Sequence, residues 1–121
     1  MAVMVVTDSS ARLPEELVAT NGIRVVPLHI LVDGIDLRDG VDEIPADIHD
    51  RHASTAGATP AELCAAYERA LAASGGDGVL GVHLSAELSS TFSAAEEAAR
   101  QLGDGVAVVD SRSAAMGTGF I

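Results

Sequence analysis

Lysine and tryptophan are absent from this 121-residue sequence, cysteine occurs once, and the aromatics are one tyrosine and two phenylalanines. Each shortage excludes something. A single cysteine, Cys64, makes neither an internal disulfide nor a cysteine metal cluster; beside Leu63 and Tyr67 it reads as a small core residue, and the reducing cytoplasm is the expected setting. With so few aromatics, the core must rest on Val, Leu, Ile and Ala. Seven basic residues, all arginine, stand against eighteen acidic ones. The net charge of -11 repels phosphate backbones and anionic lipid surfaces, so nucleic acid is not an expected partner. The apolar run Met1–Val6 has no basic flank, and Asp8 interrupts it far short of a signal peptide or a membrane span.

What is present suffices for one domain with a sizeable aliphatic core, at 48% apolar composition. Val3 to Thr7 is a β-branched run without polar alternation, the pattern of a strand covered on both faces of a parallel sheet. Pro14, Glu15 and Glu16 open a helix that Gly22 closes, with Leu17 and Val18 facing inward. Ile23 to Val32 reads as a second strand, and Asp33-Gly34 as a tight turn into a short antiparallel return strand that makes the sheet mixed. Arg38 to Ser54 is acidic connection with a short helix over Pro45 to His52. Thr59 and Pro60 start a helix running to Ser74, which Gly75-Gly76-Asp77-Gly78 terminates. Strands over Val79–Leu84 and Val106–Asp110 flank a helix over Ser89–Leu102, and Ser111-Arg112-Ser113 begins a last helix through Met116. The fold class is therefore α/β, a mostly parallel sheet with helices on both faces, in which ligands sit at the carboxyl ends of the strands.

Three strands end in similar chemistry: Thr7-Asp8-Ser9-Ser10, Ser85 leading to Ser89-Ser90-Thr91, and Asp110-Ser111-Arg112-Ser113. Ser54-Thr55 with Thr59 adds a fourth cluster before the Pro60 helix. Ser, Thr and Asp are the preferred helix caps. Helix N-termini with hydroxyls beside them also hold carboxylate or phosphate without a cation. Spacing alone leaves capping and ligand binding both open.

Other constellations carry less. His49 and His52 beside Asp47 and Asp50 read as a solvated acidic helix, since no third metal ligand has diagnostic spacing. His29 and His83 lie within strands and read as hydrogen-bonded structural residues. No Gly-x-Ser-x-Gly elbow is present, and Gly75–Gly78 follows a helix, so it is a turn and not a dinucleotide fingerprint.

Four segments carry a resemblance. Thr7-Asp8-Ser9-Ser10-Ala11-Arg12-Leu13-Pro14, Pro27-Leu28 with Asp33-Gly34, Leu84-Ser85-Ala86-Glu87-Leu88-Ser89-Ser90-Thr91-Phe92 and Val108-Val109-Asp110-Ser111-Arg112-Ser113-Ala114-Ala115-Met116-Gly117 resemble, in order and spacing, the successive signatures of the DegV family of fatty-acid-binding proteins. The resemblance implies a carrier and not an enzyme, without a cofactor. It implies two domains that clasp one long-chain fatty acid, presented in bacterial relatives to a fatty-acid kinase that phosphorylates the carboxylate. Residues 1–121 then correspond to the amino-terminal domain, and the carboxyl-terminal domain is missing from this chain. The ligand-binding set implied is Thr55, Ser85, Ser89 and Ser90, with Thr91 and Ser9 from the same clusters. Where the family reads Thr-Ser-Gln-Pro-Ser, this chain reads Thr55-Ala56-Gly57-Ala58-Thr59-Pro60, and Ser90 replaces a glycine. Two alternatives stand beside this reading: a Mg²⁺-dependent phosphoryl-transfer enzyme using Asp8 at a strand end, and an inactive truncated domain.

Overall fold

The structure, a computed structural model, describes residues 3–39, 41–43, 47 and 53–113. In chain order these form β1 (Met4–Asp8), α1 (Glu15–Asn21), β2 (Arg24–Val26), β3 (His29–Val32), β4 (Ile35–Arg38), β5 (Ala53–Ala56), α2 (Pro60–Ser74), β6 (Val79–His83), α3 (Thr91–Leu102) and β7 (Val106–Asp110). Four strands in the order β2-β1-β6-β7 make a wholly parallel sheet, and β4-β3-β5 make a second, antiparallel one. The α/β class is as expected from the β-branched runs and helical spacings. The anticipated helix over Pro45–His52, with His49 and His52, falls almost wholly outside the described residues, as does the continuation of the last helix beyond Ser113.

Four expectations need correction. The expected strand Ile23–Val32 breaks at Pro27-Leu28 into β2 and β3, which belong to different sheets. Pro27 has no N–H for a ladder, and the Leu28 N–H turns to the Ser9 hydroxyl at 3.0 Å. The Asp33-Gly34 turn forms as anticipated, with both residues at positive φ, but its return strand β4 does not join the main sheet. Ala53 and Ser54, read as the end of a connection, form with Thr55 and Ala56 the strand β5, in which Thr55 pairs with Ile30. Finally, Leu17 of α1 is 47% exposed, and α1 buries no residue: seven residues are too short to lay an apolar stripe on the core.

α2 and α3 pack on each other and share one face of the parallel sheet, over Val6, Val79, Met4 and Val108. Small residues Ala66, Ala70, Ala94, Ala95 and Ala98 let the two helices approach, while Leu63 and Tyr67 supply bulk. The core is thus aliphatic except at its centre. Tyr67 is 0% exposed, and Gly81 makes room for it: a Cβ there would lie 2.5 Å from the Tyr67 Oη. Cys64 is half-buried against this cluster, with its sulfur 3.8 Å from Glu68. Burial and that carboxylate raise the thiol above its ordinary pKa. Among the described residues, no helix is long and apolar enough to cross a membrane.

Candidate functional site: a hydroxyl-lined cavity at the carboxyl end of β6

β6 emerges between β1 and β7, and its carboxyl end leads into the loop Leu84–Ser90 and then into α3. A buried polar chain anchors this exit. The Tyr67 hydroxyl lies 2.6 Å from His83 Nε2, and His83 Nδ1 lies 3.0 Å from Asp8 Oδ2. With the proton on Nδ1, His83 donates to Asp8 and accepts from Tyr67. Asp8 also accepts from the Leu84 N–H at 3.2 Å and from both the N–H and the hydroxyl of Ser10. Burial alone pushes the Asp8 carboxyl upward; hydrogen bonds from His83, Ser10 and Leu84 outweigh it and hold the group below its ordinary pKa. Burial raises the Tyr67 phenol far above its usual range, with the Asp8 charge adding to the effect, so this hydroxyl keeps its proton as donor. Both expected structural histidines behave as such. His29 bridges Asp36 and Glu62, each at 2.8 Å, and joins the small antiparallel sheet to the first turn of α2.

Most of the hydroxyls singled out in the sequence are already engaged. Ser9 donates to Asp39 at 2.8 Å while accepting from Leu28, and it lines a separate cavity beside α1. Ser10 belongs to Asp8. Ser85 is buried in a turn, its hydroxyl accepting from the Glu87 N–H and its own N–H donating to the Ser113 carbonyl. Ser111 and Ser113 close the local turn after β7. Thr59 and Glu62 form a reciprocal capping box at the start of α2. Thr91 is buried, accepts from the Ala58 N–H at 3.3 Å and lies 2.9 Å from the Ser89 hydroxyl.

Thr55 and Ser90 differ. Neither hydroxyl has a partner among the described residues, and both line one cavity of about 370 Å³ together with Ser89. Its remaining walls are Leu28, Ala56, Gly57, Leu84 and Leu88, the last 66% exposed. The structure thus brings Thr55, Ser89 and Ser90 together, keeps Ser85 and Thr91 behind them as support, and puts Ser9 elsewhere. Ser90 is the first residue before α3 yet makes no side-chain cap, so the first-turn N–H groups lack a side-chain acceptor there; the Thr91 N–H goes to Ser89 instead.

The residue that sequence reasoning missed is Gly57. A Cβ at this position would lie 2.8 Å from Thr91 Oγ1, 2.9 Å from Ser90 Oγ and 3.0 Å from Ser89 Oγ. Only glycine lets the Thr55 strand approach the α3 N-terminus this closely. The apolar wall left a clearer trace, since Leu84-Ser85 and Leu88-Ser89 repeat an apolar–hydroxyl pair four residues apart. Asp8, considered as a phosphoryl-transfer nucleophile, is 0% exposed, and both its carboxylate oxygens are engaged by His83, Leu84 and Ser10.

Comparison with known proteins points one way. The model of the DegV family of uncharacterised proteins matches residues 2–121. A DegV domain-containing protein of Mycobacterium tuberculosis is 69% identical over 120 residues, covering 99% of this chain and 43% of that protein. A DegV family protein from Thermus thermophilus, described for its fatty acid binding, superposes with a TM-score of 0.91 at 34% identity over 99% of this chain and 44% of its own. DegV of Bacillus subtilis, described as a fatty acid binding protein, does so with a TM-score of 0.83 at 31% identity, again over 99% and 44%. The chain spans less than half the length of these relatives.

Proposed function

The chain belongs to the DegV family, and we propose that its cavity at the end of β6 holds the carboxylate of a long-chain fatty acid, in a carrier that performs no chemistry on it. The observation that carries this reading is the pair of unengaged hydroxyls, Thr55 and Ser90, set beside a helix N-terminus that Ser90 does not cap and a leucine wall. A chain of net charge -11 has little to offer an anion at long range. Fixed donors with the partial positive end of α3 supply the attraction locally. They favour a single carboxylate charge over a more highly charged group.

Magnitudes divide the labour. A hydrogen bond from a hydroxyl to a charged acceptor contributes about 1.5–3 kcal/mol net, whereas each of the many buried methylenes contributes about 0.8 kcal/mol, so the tail dominates affinity and the hydroxyls set orientation. Leu28, Leu84 and Leu88 mark where the first methylenes lie. The cavity is small, near the lower end of the roughly 300–1,000 Å³ typical of ligand sites. The rest of the tail therefore needs a second wall, which we assign to the part of the family's length outside this chain: residues 1–121 act as the amino-terminal domain of a two-domain clasp. A carboxylate held at a domain edge is also positioned for handing to a fatty-acid kinase subunit, in a cytoplasmic setting.

The test is mass spectrometry of an organic extract of the gently purified protein. A fatty acid in near-stoichiometric amount is the expected result, and Thr55→Ala should lower retention at least about tenfold, the equivalent of one hydrogen bond to a charged acceptor. Protein that is repeatedly empty of lipid overturns the proposal.

A further inference from the structure

A second cavity, of about 490 Å³, lies along the outer edge of the parallel sheet and shares no residue with the hydroxyl site. Three of the chain's seven arginines line it: Arg24 from β2, Arg38 from the end of β4 and Arg69 from α2. Eighteen acidic residues are available, yet neither Arg24 nor Arg69 has a carboxylate partner among the described residues. The Arg24 Nε is buried with no hydrogen-bond partner there, an arrangement native proteins rarely leave unmet. The acidic residue in the wall, Glu62, is taken by His29 and Thr59, and Arg38 is taken by Asp42. Two guanidinium groups thus face one cleft uncompensated.

We propose that this cleft is an anion site, independent of the fatty-acid cavity, that takes the phosphate or pyrophosphate group of a small soluble phosphate compound. Guanidinium forks match phosphate oxygens bidentately, where hydroxyls alone suit a singly charged carboxylate. Arg24 and Arg69 approach from the sheet and from the helix, so a phosphate in the cleft lies between two guanidinium groups. Val26, Pro27, Ala65 and Ala66 give the cleft an apolar floor larger than an inorganic anion needs, which favours an organic phosphate such as a nucleotide.

Titration calorimetry of the purified protein with inorganic pyrophosphate and with ATP, at low ionic strength and without divalent metal, tests this. Saturable binding is expected, weakened at least tenfold by Arg24→Gln and by Arg69→Gln. Arg100→Gln removes an exposed α3 arginine paired with Glu97 and should leave binding unchanged. Since Arg69 is an exposed helix residue, Arg69→Gln should keep the fold even if Arg24→Gln does not. Fatty-acid retention should be the same in Arg69→Gln as in the parent, which separates this site from the first. Absence of saturable heat with both compounds, an equal loss in Arg100→Gln, or preference for a polyglutamate peptide over both phosphates overturns the proposal.

Discussion

The amino ends of α2 and α3 are built from the same residue types and use them in opposite ways. α2 begins with Thr59 and Glu62, which satisfy each other's backbone donors and leave nothing for a ligand. α3 begins with Ser89, Ser90 and Thr91, of which one is spent on another's N–H, one is buried as a strut to Ala58, and Ser90 is unspent. The difference teaches that a hydroxyl at a helix start is structural or functional according to where its oxygen is already committed. Residue type does not decide it. The loop that feeds α3 is moreover held rigid by a buried Tyr67–His83–Asp8 chain.

Four experiments break or sharpen this contrast. The largest effect is expected from His83→Leu, which strips the buried Asp8 carboxylate of one charged hydrogen bond and leaves the Tyr67 hydroxyl unpaired. A loss of about 3 kcal/mol or more in urea unfolding is expected, and lipid retention should fall with it. Gly57→Ala follows, because its Cβ would crowd three hydroxyls at 2.8–3.0 Å. About 1–3 kcal/mol of destabilisation is expected by thermal unfolding, together with loss of bound fatty acid.

The matched pair Thr59→Ala and Ser89→Ala comes next. Each removes a helix-start hydroxyl acceptor, at about 1 kcal/mol of stability, but only Ser89→Ala should reduce lipid retention. Equal retention in both would erase the distinction between the two helix ends.

The smallest effect concerns pH. Hydrogen bonds from His29 to Glu62 first, then to Asp36, raise the His29 pKa above its ordinary 6.5. A raised folded-state pKa contributes stability that is fully present below 6.5 and is lost as pH rises through the higher folded value. Stability measured from pH 6 upward should therefore decline slightly in the parent, and His29→Gln should flatten that slope.

Helix and strand positions were legible wherever a short stretch of sequence carries the whole signal. Thr59, Pro60 and Gly75 bracket α2 by local backbone chemistry, and the apolar runs of β1, β6 and β7 declare parallel strands. The division at Pro27-Leu28 was not legible, because it depends on Ser9, nineteen residues earlier, capturing the Leu28 N–H. β5 escaped notice for a related reason: Ser54-Thr55 has no strand pattern of its own and is extended because β3 pairs with it. The burial of Tyr67 likewise rests on Gly81, a neighbour only in space.

Composition and local pattern determined by themselves the α/β class, the bounds of α2 and the hydroxyl-rich character of the strand ends. Tertiary structure decided which of those hydroxyls remain unspent. Each can make only a limited number of hydrogen bonds, and partners such as Asp39 for Ser9 and Ala58 for Thr91 lie many residues away along the chain. Thr55 and Ser90 line one cavity with unengaged hydroxyls, and Gly57 lets the two segments meet.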